Sequence, residues 1–149
     1  HDRALTEIGV PLWRVVDADG LRLLFTHGDE HDPMTRALWP LSRAVNYANG
    51  WAARVGLGSV DAPIFWIESA LIGVRKDPER DAFVRRALRA AAACAADVAV
   101  CGHTHVPVVA RPVAAGGRWY LNSGTCREGR LDWLSIDTRG RHFEHHQGW

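Results

Sequence analysis

Apolar runs of membrane length are missing from this chain of 149 residues. A helical span needs ~20 consecutive apolar residues, and nothing here approaches that, so an integral helical membrane protein is not expected. An excess of one charge is missing too. The 18 Lys and Arg stand against 17 Asp and Glu, a formal net charge of +1, and such a balance gives no support to nucleic-acid binding. Cysteine is scarce. Cys94, Cys101 and Cys126 form no C-x-x-C pair. An odd, irregular set argues against a disulfide framework and for a reducing compartment, hence a cytoplasmic location. Small buried hydrophobes is the simplest expectation for all three. Repeats and low-complexity linkers are absent from the pattern. What remains is a 47% hydrophobic chain, ordinary for one globular domain with its own core. It opens His1-Asp2-Arg3 without a methionine, as expected of a piece cut, processed or taken from a longer whole.

Alternation and turn chemistry place the first elements. Trp13 to Val16 reads as a short strand, Asp17-Ala18-Asp19-Gly20 as a turn, and Leu21 to Thr26 as a second strand. The second is almost wholly apolar, as a strand covered on both faces should be. Met34 to Val55 has apolar residues every three or four positions and predicts helix, with Pro40 starting, bending or breaking it. A second stripe on that segment holds Arg36, Arg43, Tyr47, Trp51 and Arg54. Trp39 and Trp51 sit where they would face something other than a core. Pro63 to Val74 is a shorter apolar piece. Asp77-Pro78-Glu79 has the look of a helix start, with aspartate at the N-cap, and the helix would run on through Arg89 to Ala96. A buried strand, Asp97 to Cys101, follows. Val106 to Pro112 with Arg118 to Leu121, and Leu131 to Asp137 with His142 to His146, read as two hairpins.

His27, His103 and His105 each follow a predicted strand. In open α/β sheets, ligands bind at the carboxyl ends of strands. Imidazole is the commonest metal ligand, and residues i and i+2 of an extended loop can reach two centres a few ångströms apart. Gly28 and Gly102 beside them let backbone approach closely. Asp29, Glu30 and Asp32 could complete a shell or orient an imidazole. His142, His145 and His146, by contrast, read as exposed strand histidines.

The run Gly102-His103-Thr104-His105 after a short hydrophobic strand resembles the last motif of calcineurin-like metallophosphoesterases. His27 in LLFTHGDEHD resembles the ligand that ends an earlier strand of that family. The opening His1-Asp2 is similar to the end of its Gly-Asn-His-Asp motif. HGDEHD, the helical insert, GHTHVPV and YLNSGT are most similar to the branch containing UDP-2,3-diacylglucosamine hydrolases of lipid A synthesis. The resemblance runs from His1 to about Asp137. It implies the C-terminal half of a four-layer α/β/β/α sandwich, residues 1–149 forming one partial domain with residues 34–57 as a helical cap insert. It implies His27 and His103 on one metal and His105 on the other. His1 would meet the substrate phosphate and protonate the leaving oxygen, Asp2 would orient His1, and Asn122 would support the site. The family's Asp-x-His, its bridging Gly-Asp-x-x-Asp and the asparagine before the histidine do not precede His1 here. Gly28 to Asp32 spells Gly-Asp-x-x-Asp but follows the strand-end histidine, so it is not expected to supply the bridge.

The implied chemistry is hydrolysis of a phosphoester or pyrophosphate bond by two divalent ions, manganese by resemblance, with iron or zinc suiting the same donors. The substrate would be a phosphorylated small molecule or a lipid-linked nucleotide. Arg36, Arg43, Tyr47, Trp51, Arg54 and Asn122 would contact it, the insert holding acyl chains at the surface of the inner membrane. The partial ligand set predicts weak metal binding and little turnover without the N-terminal half. One rival is a non-catalytic or partner-dependent half-domain. The other is a copper site braced by an N-terminal His1, which three unpaired cysteines disfavour because such proteins are secreted.

Overall fold

A computed structural model describes residues 13–32, 47–48, 50–51, 54–56, 77–126 and 129–149. The elements expected over Pro63–Val74 and most of the Met34–Val55 helix, Pro40 included, lie outside these residues. Tyr47, Ala48, Gly50, Trp51 and Arg54 are helical, and the Val55 N–H donates to the Trp51 carbonyl at 3.2 Å.

Two strands, β1 (Trp13–Ala18) and β2 (Leu21–Thr26), form the first hairpin, with Ala18 opposite Leu21. The turn is two residues, Asp19 and Gly20, at φ 51° and 73°. Positive φ at both positions matches the twist of the flanking strands. The four-residue turn expected from Asp17 is therefore shorter, because Asp17 and Ala18 stay paired in β1.

Helix α1 (Ala82–Ala93) comes next. Its N-cap is Asp81, whose buried carboxylate accepts from the Phe83 N–H at 2.8 Å. The Asp77 start expected from sequence is corrected. Asp77 accepts from the Glu79 N–H at 3.1 Å and closes a separate turn before the helix. Both aspartates carry capping chemistry, and packing selects the one beside Phe83.

The remaining strands are β3 (Val98–Cys101), β4 (Val108–Ala110), β5 (Trp119–Asn122), β6 (Leu131–Asp137) and β7 (His142–Gly148). Among the described residues, five of the seven strands form a mixed sheet in the order β1-β2-β3-β5-β4. β2, β3 and β5 run parallel, while β1 and β4 are antiparallel edges. β6 and β7 pair as a separate antiparallel hairpin.

Alternation along the three central strands sends side chains to two cores. Leu24, Ala99, Cys101 and Tyr120 pack with Phe83, Val84, Ala87, Leu88 and Ala91 of α1. Leu21, Leu23, Val98 and Leu121 pack with Phe143 of β7, flanked by Leu134 and Ile136 of β6. The described residues thus stack as helix, mixed sheet and hairpin. Burying a Phe, Val or Leu side chain contributes about 1.5–3 kcal/mol, so these two faces hold the described sheet between α1 and the β6-β7 hairpin. The expected coverage of β2 on both faces holds: Leu21, Leu23 and Leu24 are all buried. Of the cysteines, Cys101 alone is fully buried; Cys94 is half-buried and Cys126 exposed, so the expectation for Cys126 is corrected. No helix among the described residues is long and apolar enough to cross a membrane.

Candidate metal centre

The parallel pairing of β2 with β3 sets two chain ends side by side. The Gly102 N–H donates to the His27 carbonyl at 3.1 Å. The imidazoles of His27 and His103 then meet edge to face, their centroids 5.4 Å apart at 79°. Their residues are 76 positions apart in the chain, and only the strand pairing unites them.

After His27 the chain turns at Gly28, φ 102°, into a 3-10 turn over Asp29–His31. Gly28 is required on two counts. Its φ lies in the region few side chains adopt, and a Cβ there would stand 2.7 Å from Phe83 Cζ. The turn delivers Asp32, which is buried. Its Oδ2 lies 3.1 Å from His103 Nε2. Phe83 lies under the pair, stacked on His103 with centroids 6.1 Å apart, at an interplanar angle of 15°. It also meets His31 edge to face at 5.9 Å. Arg86 of α1 donates to the His31 carbonyl at 3.2 Å and ties the turn to the helix.

The electrostatics of this corner follow from burial. Burial holds the His31 imidazole below its ordinary value, and the nearby Arg86 cation acts the same way against the opposing carboxylates of Glu30 and Asp29. For Glu30, burial raises the pKa, yet the Thr26 hydroxyl, its own backbone N–H and His31 together hold the carboxyl below the usual range. Burial, with the Glu30 charge added, pushes the Cys101 thiol up to about 12. Burial thus favours the neutral thiol form of Cys101.

The GHTH loop itself is held from below. Asn122, fully buried at the end of β5, shares the two hydrogens of its Nδ2 among three acceptors, the Gly102 carbonyl at 2.6 Å, Thr104 Oγ1 at 3.0 Å and Tyr120 Oη at 3.1 Å. Its Oδ1 accepts from the Gly124 N–H at 3.0 Å. Asn122 was expected at the site in a supporting role; its amide is committed to the loop backbone rather than presented to solvent. Both loop histidines have left-handed backbone, His103 at φ 63° and His105 at φ 55°. Such a conformation costs a non-glycine residue about 1–3 kcal/mol and persists where the surroundings over-determine it. The alternation turns buried Thr104 inward while His105 is exposed.

Among the expected site residues, His27, His103 and Asn122 therefore come together at the carboxyl ends of β2, β3 and β5, and His105 follows in the same loop. Tyr47, Trp51 and Arg54 are exposed on a helical segment. His1, Asp2, Arg36, Arg43 and Trp39 lie outside the described residues. Neither the Asp32–His103 pairing nor the Phe83 platform was legible beforehand. Asp32 was visible only as one of three carboxylates near His27, and Phe83 as an apolar position of a helix.

Two imidazoles and a carboxylate are a borderline-hard donor set that suits manganese, iron or zinc. The 3.1 Å between His103 Nε2 and Asp32 Oδ2 fits a hydrogen bond. It also fits two donors each ~2.1 Å from one octahedral ion, which stand about 3.0 Å apart. Among the described residues no group of three or more His, Cys, Asp and Glu side chains is poised to hold an ion unaided. The residues present fit part of a metal shell. The chain matches no known family model, and it matches no curated protein.

Proposed function

We propose that this chain is the C-terminal half of a two-metal phosphoesterase with a four-layer α/β/β/α sandwich, one that cleaves phosphoester or pyrophosphate bonds. The observation that carries the reading is the meeting of His27 and His103 at adjacent parallel strand ends, with the Asp32 carboxylate on the second imidazole. Two divalent ions, manganese first and iron or zinc as the alternatives, would supply charge neutralisation at phosphorus and an activated water.

The chain's own residues have separable tasks in this reading. His27 and His103 would be donors to one ion and His105 to the other. Asp32 would hold the His103 ring or share its ion, and Asn122 would keep the loop in place through Gly102 and Thr104. His1, steadied by Asp2, would give a proton from its imidazole to the leaving oxygen, a contribution of typically ~10²–10⁴-fold in rate. The 34–57 segment would recognise the substrate, its Arg36, Arg43 and Arg54 meeting a diphosphate and Tyr47 and Trp51 an apolar chain. A lipid-linked nucleotide such as a diacylglucosamine UDP conjugate, met at the inner face of a membrane from the cytoplasm, fits those groups.

The test is calorimetric titration of the chain with manganese chloride, alongside His27→Ala and His103→Ala. Turnover of bis(p-nitrophenyl) phosphate is measured on the natural full-length product and on the chain. Weak binding lost in both variants, with turnover confined to the longer product, supports the reading. Metal binding unchanged by either substitution sinks it. The incomplete donor set among the described residues favours one second reading, a partner-dependent half-domain without catalysis. A stable complex with an upstream half that still shows no turnover would select it.

A further inference from the structure

We propose that the cleft between α1 and the Val113–Ala115 turn binds a small organic anion, its phosphate-like group held by arginines and its apolar body seated on Leu88. The cleft has a volume of about 290 Å³, just under the range for small-molecule sites. No residue of the histidine site lines it.

Its helical wall is Arg85, Leu88, Arg89 and Ala92. These positions are spaced three and four apart and form one face of α1. Leu88 is buried beneath the two exposed arginines. The opposite wall brings Arg118, which follows the turn. Arg118 is held rigidly, its Nε donating to the Ala96 carbonyl at 3.1 Å and its Nη1 to the Ala115 carbonyl at 3.4 Å. Arg85 spends one Nη1 hydrogen on the Arg80 carbonyl. Arg89 has no hydrogen bond or ion pair among the described residues.

A guanidinium carries five N–H donors, so most of the donor capacity around this cleft is unspent. The one acidic residue lining it is Glu79. Its Oε1 already accepts from the Val113 N–H at 2.7 Å. Three cations thus face one carboxylate over an apolar floor. A low-dielectric cleft lined by one sign of charge concentrates the opposite charge. Planar guanidinium forks match the oxygens of phosphate better than a point charge does. The floor rewards an apolar body attached to that anion.

Phenyl phosphate supplies both parts and is the probe. Its binding is measured by calorimetry and amide chemical-shift changes in EDTA, against phenol and inorganic phosphate. Phenyl phosphate is expected to bind about ten-fold tighter than either fragment, to shift the Arg89, Ala92 and Ala115 amides, and to weaken as salt rises. Arg89→Glu and Ala92→Glu, both at exposed positions, are each expected to cost about ten-fold in affinity. His103→Ala is expected to leave it unchanged. Equal binding by the glutamate variants, no preference over the fragments, no binding, or loss in His103→Ala would each overturn the assignment.

Discussion

His103 Nε2 lies 3.1 Å from Asp32 Oδ2, and the two residues are 71 positions apart. The contact joins the loop after β3 to the turn after β2, so it exists only once the parallel pair has formed. It gives the imidazole a fixed orientation, which is what a ligand or a proton carrier requires. Asp32→Asn keeps the shape and removes the charge. Manganese affinity measured by calorimetry is expected to fall by about 10–100-fold, with the circular dichroism spectrum unchanged. Unchanged affinity would mean that Asp32 plays no part in holding the metal.

Asn122 is the buried support of the GHTH loop. Asn122→Ala would remove the amide contact from the Gly102 carbonyl and from the Thr104 and Tyr120 hydroxyls, and would take the Oδ1 acceptor from the Gly124 N–H. A loss of about 2–4 kcal/mol is expected by urea denaturation. Amide exchange at Thr104 should accelerate more than at Ala99 in the sheet. A cost under about 0.5 kcal/mol would show that the network does not hold in solution.

Gly28 sits against Phe83 at positive φ. Gly28→Ala is expected to cost about 2–3 kcal/mol, from backbone strain plus the collision with the ring. Adding Phe83→Leu should recover the collision part. Strict additivity of the two single costs in a double-mutant cycle would argue against the close approach.

His105 holds φ 55°. Glycine adopts that backbone freely and alanine does not. His105→Gly is therefore expected to be more stable than His105→Ala by about 1 kcal/mol. Equal urea midpoints would mean that the loop relaxes to negative φ.

Asp132 is buried at the start of β6. Burial raises its pKa, but the Thr125 N–H, Arg130 and His145 outweigh that and hold the carboxyl below its ordinary value of 3.8. The group binds fewer protons folded than unfolded, so its stabilisation is complete above about pH 3.8 and is lost as pH falls through the folded value. Asp132→Asn is expected to lose about 1–3 kcal/mol at pH 7 and to show a shallower fall in stability below pH 4. An unchanged acid limb in urea titrations at stepped pH would exclude this role.

Much of the scaffold was readable in advance because its signals are local. Asp17 to Gly20 between two strand-like runs marks a hairpin, and the runs expected from Leu21, Asp97, Arg118 and Leu131 all contain strands, two of them starting one residue later, at Val98 and Trp119. The helix start was misplaced because Asp77 and Asp81 offer the same capping chemistry, and only the packing of Phe83 decides between them. At the candidate site the histidines were visible as residue types at strand ends. The buried acid that reaches His103, the ring beneath it and the fully committed amide of Asn122 were not. Each depends on a partner far along the chain.

The sequence by itself determined which segments extend, where they turn, and which donors end them. Alternation, turn residues and glycine placement are enforced within a few bonds. The tertiary structure decided the rest. Pairing β2 with β3 in parallel brought His27 to His103, the turn at Gly28 swung Asp32 beneath the loop, and β5 set Asn122 level with Cys101. Those relations follow from strand order and burial, which no local stretch of residues encodes.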